Sequence, residues 1–385
     1  MENKNEWKKV KLGEIVTITM GQSPKSEFYN LAGEGVPFLQ GNRTFGEKFP
    51  SFDTYTTKVT KIAKKNDVIM SVRAPIGDLN LATTDICLGR GVCSLRMNNG
   101  NYEFLFYLLK YYSKQLINNG NGTVFTSINR NEIYNLEINI PNNEFIQKKI
   151  SKILSDIDNK IESNNKINNN LEKQVQLIFN NHFFNKDKNY TNYISSNLLE
   201  IADFLNGLAM QKYTPNDFNE KSYPVLKIKE LNQGFTDKNS DRCSNKIKSE
   251  YIINNGDIIF SWSGTLLIKI WCGNKCGLNQ HLFKVTSKKY DKWFYFLWIN
   301  YHLKKFISIA KDKATTMGHI KRADLEKAFV LIPPEKEYES LNKILTPLFE
   351  NIISNKKENN HLVNLKNYLL PKLMNGEIDI ENIEL

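Results

Sequence analysis

The 385-residue sequence lacks the motifs that most nucleotide-dependent enzymes share. It has no GxxxxGK(S/T) loop, and no glycine is followed by lysine, so a P-loop nucleotide site is excluded. A GxGxxG dinucleotide fingerprint and an Asn/Asp-Pro-Pro-aromatic motif are also missing. The five histidines stand in no recognisable motif with a serine or a cysteine. The sequence therefore predicts no catalytic residue.

A metal-dependent nuclease centre is equally unsupported. No proline is followed by aspartate, and the Glu-x-Lys tripeptides at residues 2–4 and 6–8 have no acid upstream of them. Residues 158–160 (Asp-Asn-Lys) fall within a predicted helix, where we expect Asp158 to lie on the solvated face.

Cysteine is scarce as well: the chain has five, an odd number that favours a reducing cytoplasm. Cys272 and Cys276 could offer metal ligands together with Cys243 and His281. Their spacing matches no paired CxxC pattern, so buried thiols are favoured over zinc. The most apolar stretch, residues 258–271, is interrupted by polar residues and is too short to span a membrane. The N-terminus lacks the apolar core of a signal peptide, so we expect a cytoplasmic protein with no membrane partner and no bound metal.

Basic residues, by contrast, are in excess. Lys and Arg total 52 against 41 Asp and Glu, which leaves a net charge of +11. A charge of this size favours a polyanionic partner, most simply nucleic acid, and a passive basic surface is the alternative. With 41% hydrophobic and 24% charged residues, the chain has the composition of a folded protein, and its length suits two domains of about 150–200 residues.

The second half of the sequence repeats the first. Residues 150–179 align with residues 341–370 at a constant offset of 191, and ten of these thirty positions are identical. Weaker matches precede this stretch in the same order, such as DVIMS at residues 67–71 with DIIFS at residues 257–261. Matched blocks in one order indicate a duplication rather than shared composition.

Each repeat consists of a globular part followed by a long helix. Short runs rich in β-branched and aromatic residues predict strands at residues 67–72, 92–97, 138–140, 258–262, 281–285 and 328–332. Aromatic residues at helical spacing predict buried helix faces, listed here by residue: Phe104, Tyr107, Leu108 and Tyr111, then Phe294, Leu297, Trp298 and Tyr301. The predicted fold class is α+β, with two similar mixed α/β domains separated by two long helices that form an antiparallel coiled coil in a pseudo-two-fold repeat.

The two helices carry a heptad pattern. Their seam positions run from Ile150 to Ile178 and from Leu341 to Leu369 in alternating steps of four and three residues. Four asparagines occupy the middle of the seams: Asn164, Asn168, Asn355 and Asn359. Antiparallel pairing would bring them together, and buried asparagine pairs fix helix register at a cost in stability. Lys366 departs from the pattern and is expected to reach solvent, and Pro347 is expected to kink the second helix or delay its start.

The length of these helices suggests a spacer. From Ile150 to Ile178 an α-helix rises about 42 Å, close to the roughly 34–36 Å of one turn of B-DNA. We therefore expect the helices to hold two similar domains about one DNA turn apart. A coiled coil that serves only for dimerisation is the alternative.

Polar and basic residues in predicted loops are the candidate DNA contacts. Arginine can read guanine and asparagine or glutamine can read adenine, whereas lysine and serine suit phosphates. The candidates of the first repeat are Gln22, Ser23, Lys25, Gln40, Asn42, Arg43, Ser71, Arg73 and Arg90. Those of the second repeat are Gln211, Lys212, Lys227, Lys229, Ser261, Ser263, Thr265, Asn279 and Gln280.

Several motifs together resemble a known family. They are Trp7 with LGEI at residues 12–15 and GQSP at 21–24, DVIMSVR at 67–73 with PIG at 75–77, residues 128–130 leading into Ile140 and Pro141, QKKISKIL at 147–154, and LPKLMNG at 370–376. In this order and duplication, over nearly the whole chain, they resemble the specificity subunit of type I restriction-modification systems. The second repeat departs at residues 262–265 (WSGT), where the first has VRAP at 72–75, which suits a domain that reads a different half-site.

The resemblance implies a non-catalytic chain with two target-recognition domains, each reading half of a split double-stranded DNA sequence. It implies domain bounds of 1–144 and 188–336 for these domains, 145–187 and 337–376 for the spacer helices, and 377–385 for an acidic tail. The helices would bind two methyltransferase subunits, and two restriction subunits would complete the complex. S-adenosylmethionine, ATP and Mg would belong to those partners, which would methylate adenine at N6 and cleave DNA with ATP. No cofactor is expected in this chain.

Two other functions stay open at this point. A coiled-coil scaffold or regulator would bind DNA without reading its sequence. An enzyme would cleave or methylate DNA as the purified chain alone.

Overall fold

A computed structural model describes residues 7–118, 127–215, 217, 220–312 and 318–380. The chain forms two compact units. Unit 1 comprises Met1–Asn159 and Val363–Leu385, and unit 2 comprises Lys160–Leu362. Each unit therefore combines one globular part with a stretch of each of the two long helices.

Unit 1 is built mainly from short strands. They are β1 (Trp7–Lys11), β2 (Val16–Met20), β3 (Tyr29–Asn30), β4 (Val36–Leu39), β5 (Tyr55–Thr56), β6 (Ile62–Ala63), β7 (Val68–Ser71), β8 (Leu79–Leu81), β9 (Ile86–Leu88), β10 (Val92–Met97) and β11 (Glu137–Pro141). Its helices are α1 (Leu12–Ile15), α2 (Tyr102–Asn118), α3 (Arg130–Tyr134), the first part of α4 (Glu144–Phe183) and the last part of α9 (Glu335–Met374).

Two sheets and one helix enclose the core of unit 1. One sheet has the antiparallel order β2-β10-β7-β8, and the other has the order β3-β5-β4-β9-β6 with β4 and β9 parallel. Strand β7 is buried along its whole length, which explains its unbroken apolar run. Helix α2 packs on the first sheet and buries Phe104 and Leu108 there. The core extends to Ile150 and Leu154 of α4.

Unit 2 repeats this plan. Its strands are β12 (Ile194–Asn197), β13 (Asp203–Asn206), β14 (Ser222–Leu226), β15 (Arg242–Ser244), β16 (Ile252–Ile253), β17 (Ile258–Ser261), β18 (Leu267–Ile270), β19 (Cys276–Leu278), β20 (Leu282–Thr286) and β21 (Phe329–Ile332). Its helices are the last part of α4, α5 (Leu198–Ile201), α6 (Ile228–Gln233), α7 (Lys292–Asp312), α8 (Arg322–Glu326) and the first part of α9.

The strand order confirms the duplication. The sheet β13-β20-β17-β18 matches β2-β10-β7-β8, and the parallel pair β14 and β19 matches β4 and β9. The six predicted strands are present, as β7, β10, β11, β17, β20 and β21. The aromatic faces of α2 and α7 are buried as predicted, except at Tyr111, which is half-buried, and at Tyr301, which is 41% exposed. That prediction is wrong for Tyr301 because its ring lies on the surface, stacked on Phe184 at 4.3 Å.

The stretches of α4 and α9 are antiparallel within unit 2. Asn164 Nδ2 donates to Oδ1 of Asn359 at 2.9 Å, and Asn355 Nδ2 donates to Oδ1 of Asn168 at 2.9 Å. As the residue numbers rise along α4, those of the hydrogen-bond partners fall along α9. The prediction that antiparallel helices bring the four asparagines together is confirmed.

Three expectations about the helices are corrected by the structure. Lys366 does not reach solvent but pairs with Asp158 in unit 1. Asp158 accordingly does not lie on a solvated face, because it also accepts a hydrogen bond from Tyr107 of α2. Pro347 does not delay the second helix, since α9 begins at Glu335.

The cysteines are buried, as the sequence predicts. All five cysteines are buried free thiols. Within the described ranges, no group of three or more His, Cys, Asp or Glu residues could hold a metal ion. None of the helices in those ranges is long and apolar enough to cross a membrane. The last residues of the predicted acidic tail, 381–385, lie outside the described part of the chain.

Candidate nucleic-acid interface

Four loops of unit 1 are tied together by backbone hydrogen bonds. Gly21 N donates to Val92 O at 3.0 Å, and Gly91 N donates to Gln40 O at 3.0 Å. Val72 N donates to Gly91 O at 2.9 Å. These bonds join residues 21–25, 40–43, 72–75 and 89–91, which we call the unit 1 loop frame. The loops approach so closely that a Cβ on Gly21 would lie 2.1 Å from the carbonyl oxygen of Gly89, so only glycine fits there.

Unit 2 builds the same arrangement from different residues. Gly207 N donates to Leu282 O at 3.0 Å, and Trp262 N lies 3.4 Å from the carbonyl oxygen of His281, to which it donates. Asn279 N donates to Leu226 O at 3.2 Å, as Gly89 N does to Leu39 O at 2.8 Å in unit 1. The unit 2 loop frame comprises residues 207–213, 227–229, 262–265 and 279–281. Val72 and Trp262 make equivalent bonds, so the residues that follow them, Arg73 and Ser263, are equivalent. Arg90 lies between the bonded residues Gly89 and Gly91, and Gln280 lies between their equivalents Asn279 and His281, so Arg90 and Gln280 are equivalent as well.

The unit 1 loop frame brings most of its predicted contacts together. Ser23 Oγ donates to Gln40 Oε1 at 2.9 Å and accepts from the backbone N–H of Arg90 at 3.1 Å. The exposed side chains on the frame are those of Gln22, Lys25, Gln40, Arg43, Arg73 and Arg90. Lys25 lies 4.0 Å from Glu27, whereas Arg73 and Arg90 have no ion-pair partner among the described residues. Both arginines are thus free to bind a polyanion.

Two other unit 1 candidates are held by acids. Arg43 pairs with Asp53 at 2.7 Å, and Asn42 Nδ2 donates to Asp78 Oδ2 at 2.6 Å. These carboxylates orient side chains that would otherwise rotate freely.

The unit 2 candidates are more varied in exposure. Gln211, Lys212, Lys229 and Thr265 are exposed. Lys227 pairs with Asp241, and Lys229 lies 3.9 Å from Asp237. Gln280 is half-buried, with Nε2 3.5 Å from Nε2 of His281, and its Oε1 has no hydrogen-bond partner in the described chain.

Four predicted contacts are buried and serve the loops themselves. Ser71 Oγ donates to Pro75 O at 2.8 Å, and Ser261 Oγ donates to Ser263 O at 3.1 Å. Ser263 Oγ lies 3.1 Å from His281 Nδ1, and Asn279 Oδ1 accepts from His281 N at 3.2 Å. Because these groups are satisfied inside the fold, their interpretation as DNA contacts is corrected to that of loop supports.

Sequence reasoning missed an aromatic group on the unit 2 loop frame. The Trp262 ring lies 6.0 Å from the His281 ring and 6.2 Å from the His319 ring, and Trp262 Nε1 donates to Asn206 Oδ1 at 3.1 Å. The backbone bonds equate Trp262 with Val72 and His281 with Gly91. The departure of WSGT from VRAP is the sequence signal for this group, although Trp262 is not among the predicted DNA contacts.

Comparison with known proteins agrees with this doubled plan. The model of the type I restriction modification DNA specificity domain matches residues 4–173 and again residues 190–364. A protein named as the MjaX specificity subunit of Methanocaldococcus jannaschii is 40% identical over 179 residues, which is 46% of this chain and less than half (42%) of that protein. The type I restriction enzyme MjaIX specificity subunit of the same organism is 24% identical over 98% of this chain and 95% of its own length.

A solved structure shares the fold over the full length. The crystal structure of the type I restriction-modification S subunit from M. genitalium covers 99% of this chain and 98% of its own, with a TM-score of 0.64 at 18% identity. Because the family model covers both repeats, the chain belongs to the family of type I restriction-modification specificity subunits and carries two of its DNA specificity domains.

Proposed function

We propose that this chain directs a type I restriction-modification complex to a bipartite double-stranded DNA target, with the unit 1 loop frame reading one half and the unit 2 loop frame the other. One observation carries this proposal: the same backbone frame occurs in both units with different side chains. A duplicated scaffold with different exposed groups suits two unlike half-sites. The net charge of +11 supports a polyanionic partner.

The chemistry of equivalent positions differs in a way that suits base reading. Arg90 of unit 1 corresponds to Gln280 of unit 2, whereas Arg73 corresponds to the buried Ser263, which supports its loop. Arginine bonds the O6 and N7 of guanine, whereas glutamine bonds the N6 and N7 of adenine. The exposed lysines Lys25 and Lys212 suit phosphates, which position the protein without reading sequence.

The long helices carry apolar side chains suited to partner subunits. Leu177 and Ile344 of unit 2 and Leu365 and Tyr368 of unit 1 are exposed, and each precedes a seam position by one residue. They therefore lie on one flank of their helices. Leu177 and Tyr368 hold equivalent places in the duplication, at an offset of 191, and both are 60% exposed. Two equivalent apolar surfaces suit two copies of one partner, the methyltransferase subunit.

In this proposal the chain itself performs no chemistry. The methyltransferase subunits would bind S-adenosylmethionine and methylate adenine at N6, and two restriction subunits would use ATP and Mg. The role of the helices as a spacer between half-sites stays a prediction.

Reciprocal substitutions test the proposal. The chain is expressed with its methyltransferase subunits, and the methylated motif is determined by sequencing. We expect a split motif in which Arg90→Gln changes one half and Gln280→Arg changes the other. Equal affinity for all duplexes, with no motif, would contradict the proposal and favour a scaffold without base reading. Methylation or cleavage by the purified chain alone would favour an enzyme.

A further inference from the structure

A cleft of about 260 Å³ opens beside the unit 1 loop frame. Its lining includes Tyr29 and Phe38, whose stacked rings have centroids 4.6 Å apart. Its lining also includes Gln40, Arg43 and Asp53. A mostly apolar lining with a few polar groups is typical of ligand-binding sites.

Arg43 is held at this cleft by a carboxylate. Its Nη2 donates to Oδ1 of Asp53 at 2.9 Å and lies 2.7 Å from Oδ2. Thr54 Oγ1 donates to Oδ1 of Asp53 at 2.9 Å. The hydrogen bond from Arg43, followed by that from Thr54, lowers the pKa of Asp53 below its ordinary value, so the carboxylate is charged at neutral pH. Asp53 therefore fixes a guanidinium that is otherwise unrestrained.

The pair is exposed, and part of the guanidinium stays open. The side chains of Arg43 and Asp53 are 74% and 51% exposed, and ion pairs at such positions contribute little to stability. Nη1 and Nε of Arg43 make no hydrogen bond to a described residue. The pairing thus orients the remaining donors without consuming them.

Unit 2 has a cation and a carboxylate at the same end of the equivalent sheet. Val225 N donates to Asp241 O, and Phe38 N makes the equivalent bond to Thr54 O in unit 1. Asp241 is therefore equivalent to Thr54, the residue that follows Asp53. Asp241 pairs with Lys227. Lys227 follows Leu226, the equivalent of Leu39, and so stands where unit 1 has Gln40. Both units thus carry an acid–base pair at this end of the sheet, but at different positions.

The charges favour a base edge over a phosphate as the ligand. A carboxylate beside Arg43 cancels its charge and repels phosphate, whereas it leaves directional N–H donors in place. Either open nitrogen, next to the second N–H of Nη2, presents two adjacent donors that match the O6 and N7 acceptors of guanine in the major groove.

We propose that Asp53 is a positioning residue for base reading, holding Arg43 so that its open N–H groups bind the edge of one guanine in the half-site of unit 1. This inference rests on the proposed function of the unit 1 loop frame.

The test compares Asp53→Asn and Arg43→Lys in the complex of the full chain with its methyltransferase subunits. The matched control is Asp85→Asn, which breaks another exposed ion pair of unit 1, with Lys64 at 2.6 Å. Affinity is measured for duplexes with each base at each position, over a range of salt concentrations. We expect both variants to lose discrimination at one position of one half-site by about 5- to 150-fold, with the salt dependence unchanged. The control keeps both halves intact.

Several results would overturn the inference. They are unchanged discrimination in Asp53→Asn and Arg43→Lys, an equal loss at every position, or a shallower salt dependence, which marks a phosphate contact. Arg43→Lys retains the charge and tests the same step if Asp53→Asn yields less folded protein. A wild-type complex that selects no motif refutes the proposed function itself, which is a different result from a wild-type motif that these variants leave intact.

Discussion

The ammonium group of Lys366 lies 2.5 Å from Oδ1 of Asp158 within unit 1, where the two side chains are 20% and 11% exposed. Tyr107 donates to the other carboxylate oxygen at 2.7 Å. At an offset of 191, the equivalents of Asp158 and Lys366 are Phe349 and Val175, which are buried apolar residues in unit 2. The duplicated helices therefore carry a polar pair in unit 1 where unit 2 has two buried apolar residues, so the two units are not interchangeable at this level.

Removal of one partner of this pair should destabilise unit 1. In Lys366→Val the Asp158 carboxylate loses its cation in a largely buried place, which costs about 3 kcal/mol in the free energy of unfolding. Lys110 also interacts electrostatically with Asp158, so the carboxylate keeps a second cation nearby and we expect no larger loss of stability. The double variant Lys366→Val with Asp158→Phe copies the residues of unit 2 and should recover part of the stability. Calorimetric unfolding measures both, and equal losses in the single and double variants would contradict the pairing.

The asparagine pairs should behave in a similar way inside unit 2. Asn168→Leu leaves the Asn355 amide without the acceptor that it now has at 2.9 Å, which costs about 1–3 kcal/mol. The double variant Asn168→Leu with Asn355→Leu removes both polar groups and should be as stable as the natural protein or more so. Urea unfolding followed by tryptophan fluorescence reports this, because Trp262, Trp271, Trp293 and Trp298 lie in unit 2. A double variant that is less stable than Asn168→Leu would show that the asparagine pair stabilises the folded protein as well as fixing the helix register.

These two pairs show what the sequence can and cannot predict. The asparagines were predictable because a heptad repeat places positions 164, 168, 355 and 359 in one seam. The burial of Lys366 was not predictable, because it depends on Tyr107 of α2, which lies in a distant part of the sequence.

The candidate site divides in the same way. Sequence patterns located the loops, since turns and polar residues follow short strands. They did not separate side chains that point outward, such as Arg90, from those such as Ser71 that satisfy the turn itself. Only the backbone bonds of the loop frames show that Gln280 stands where unit 1 has Arg90.

Acid should destabilise unit 2 through the half-buried His182 and the buried His302. Burial, and then the charge of Lys188, lowers the pKa of His182, and burial lowers that of His302. Near pH 6.5 these histidines bind protons in the unfolded chain but remain neutral in the folded chain. The free energy of unfolding therefore falls as the pH drops below 6.5. Each histidine contributes at most about 1.4 kcal/mol per pH unit.

His182→Gln should reduce this dependence between pH 7.5 and 5.5, and the remainder should come from His302. Glu337, whose pKa is lowered by hydrogen bonds from Lys188 and Tyr193, adds a loss only at lower pH, below its unfolded value near 4.5. Urea unfolding followed by tryptophan fluorescence at each pH measures the slope. The same slope in His182→Gln and in the natural protein would exclude His182 as a contributor.

The exposed apolar residues of the helices lead to a prediction about stoichiometry. If Leu177 and Tyr368 belong to two equivalent surfaces, Leu177→Glu and Tyr368→Glu should each remove one methyltransferase subunit from the complex, and the double variant should remove both. A charge placed in an apolar interface is costly because it loses its hydration without gaining a partner. Ile194→Glu is the matched control, since Ile194 is 65% exposed on strand β12, outside the long helices. Native mass spectrometry of the assembled complexes counts the bound subunits directly. A single variant that binds both copies, or a control that loses one, would show that these side chains are not the binding surface.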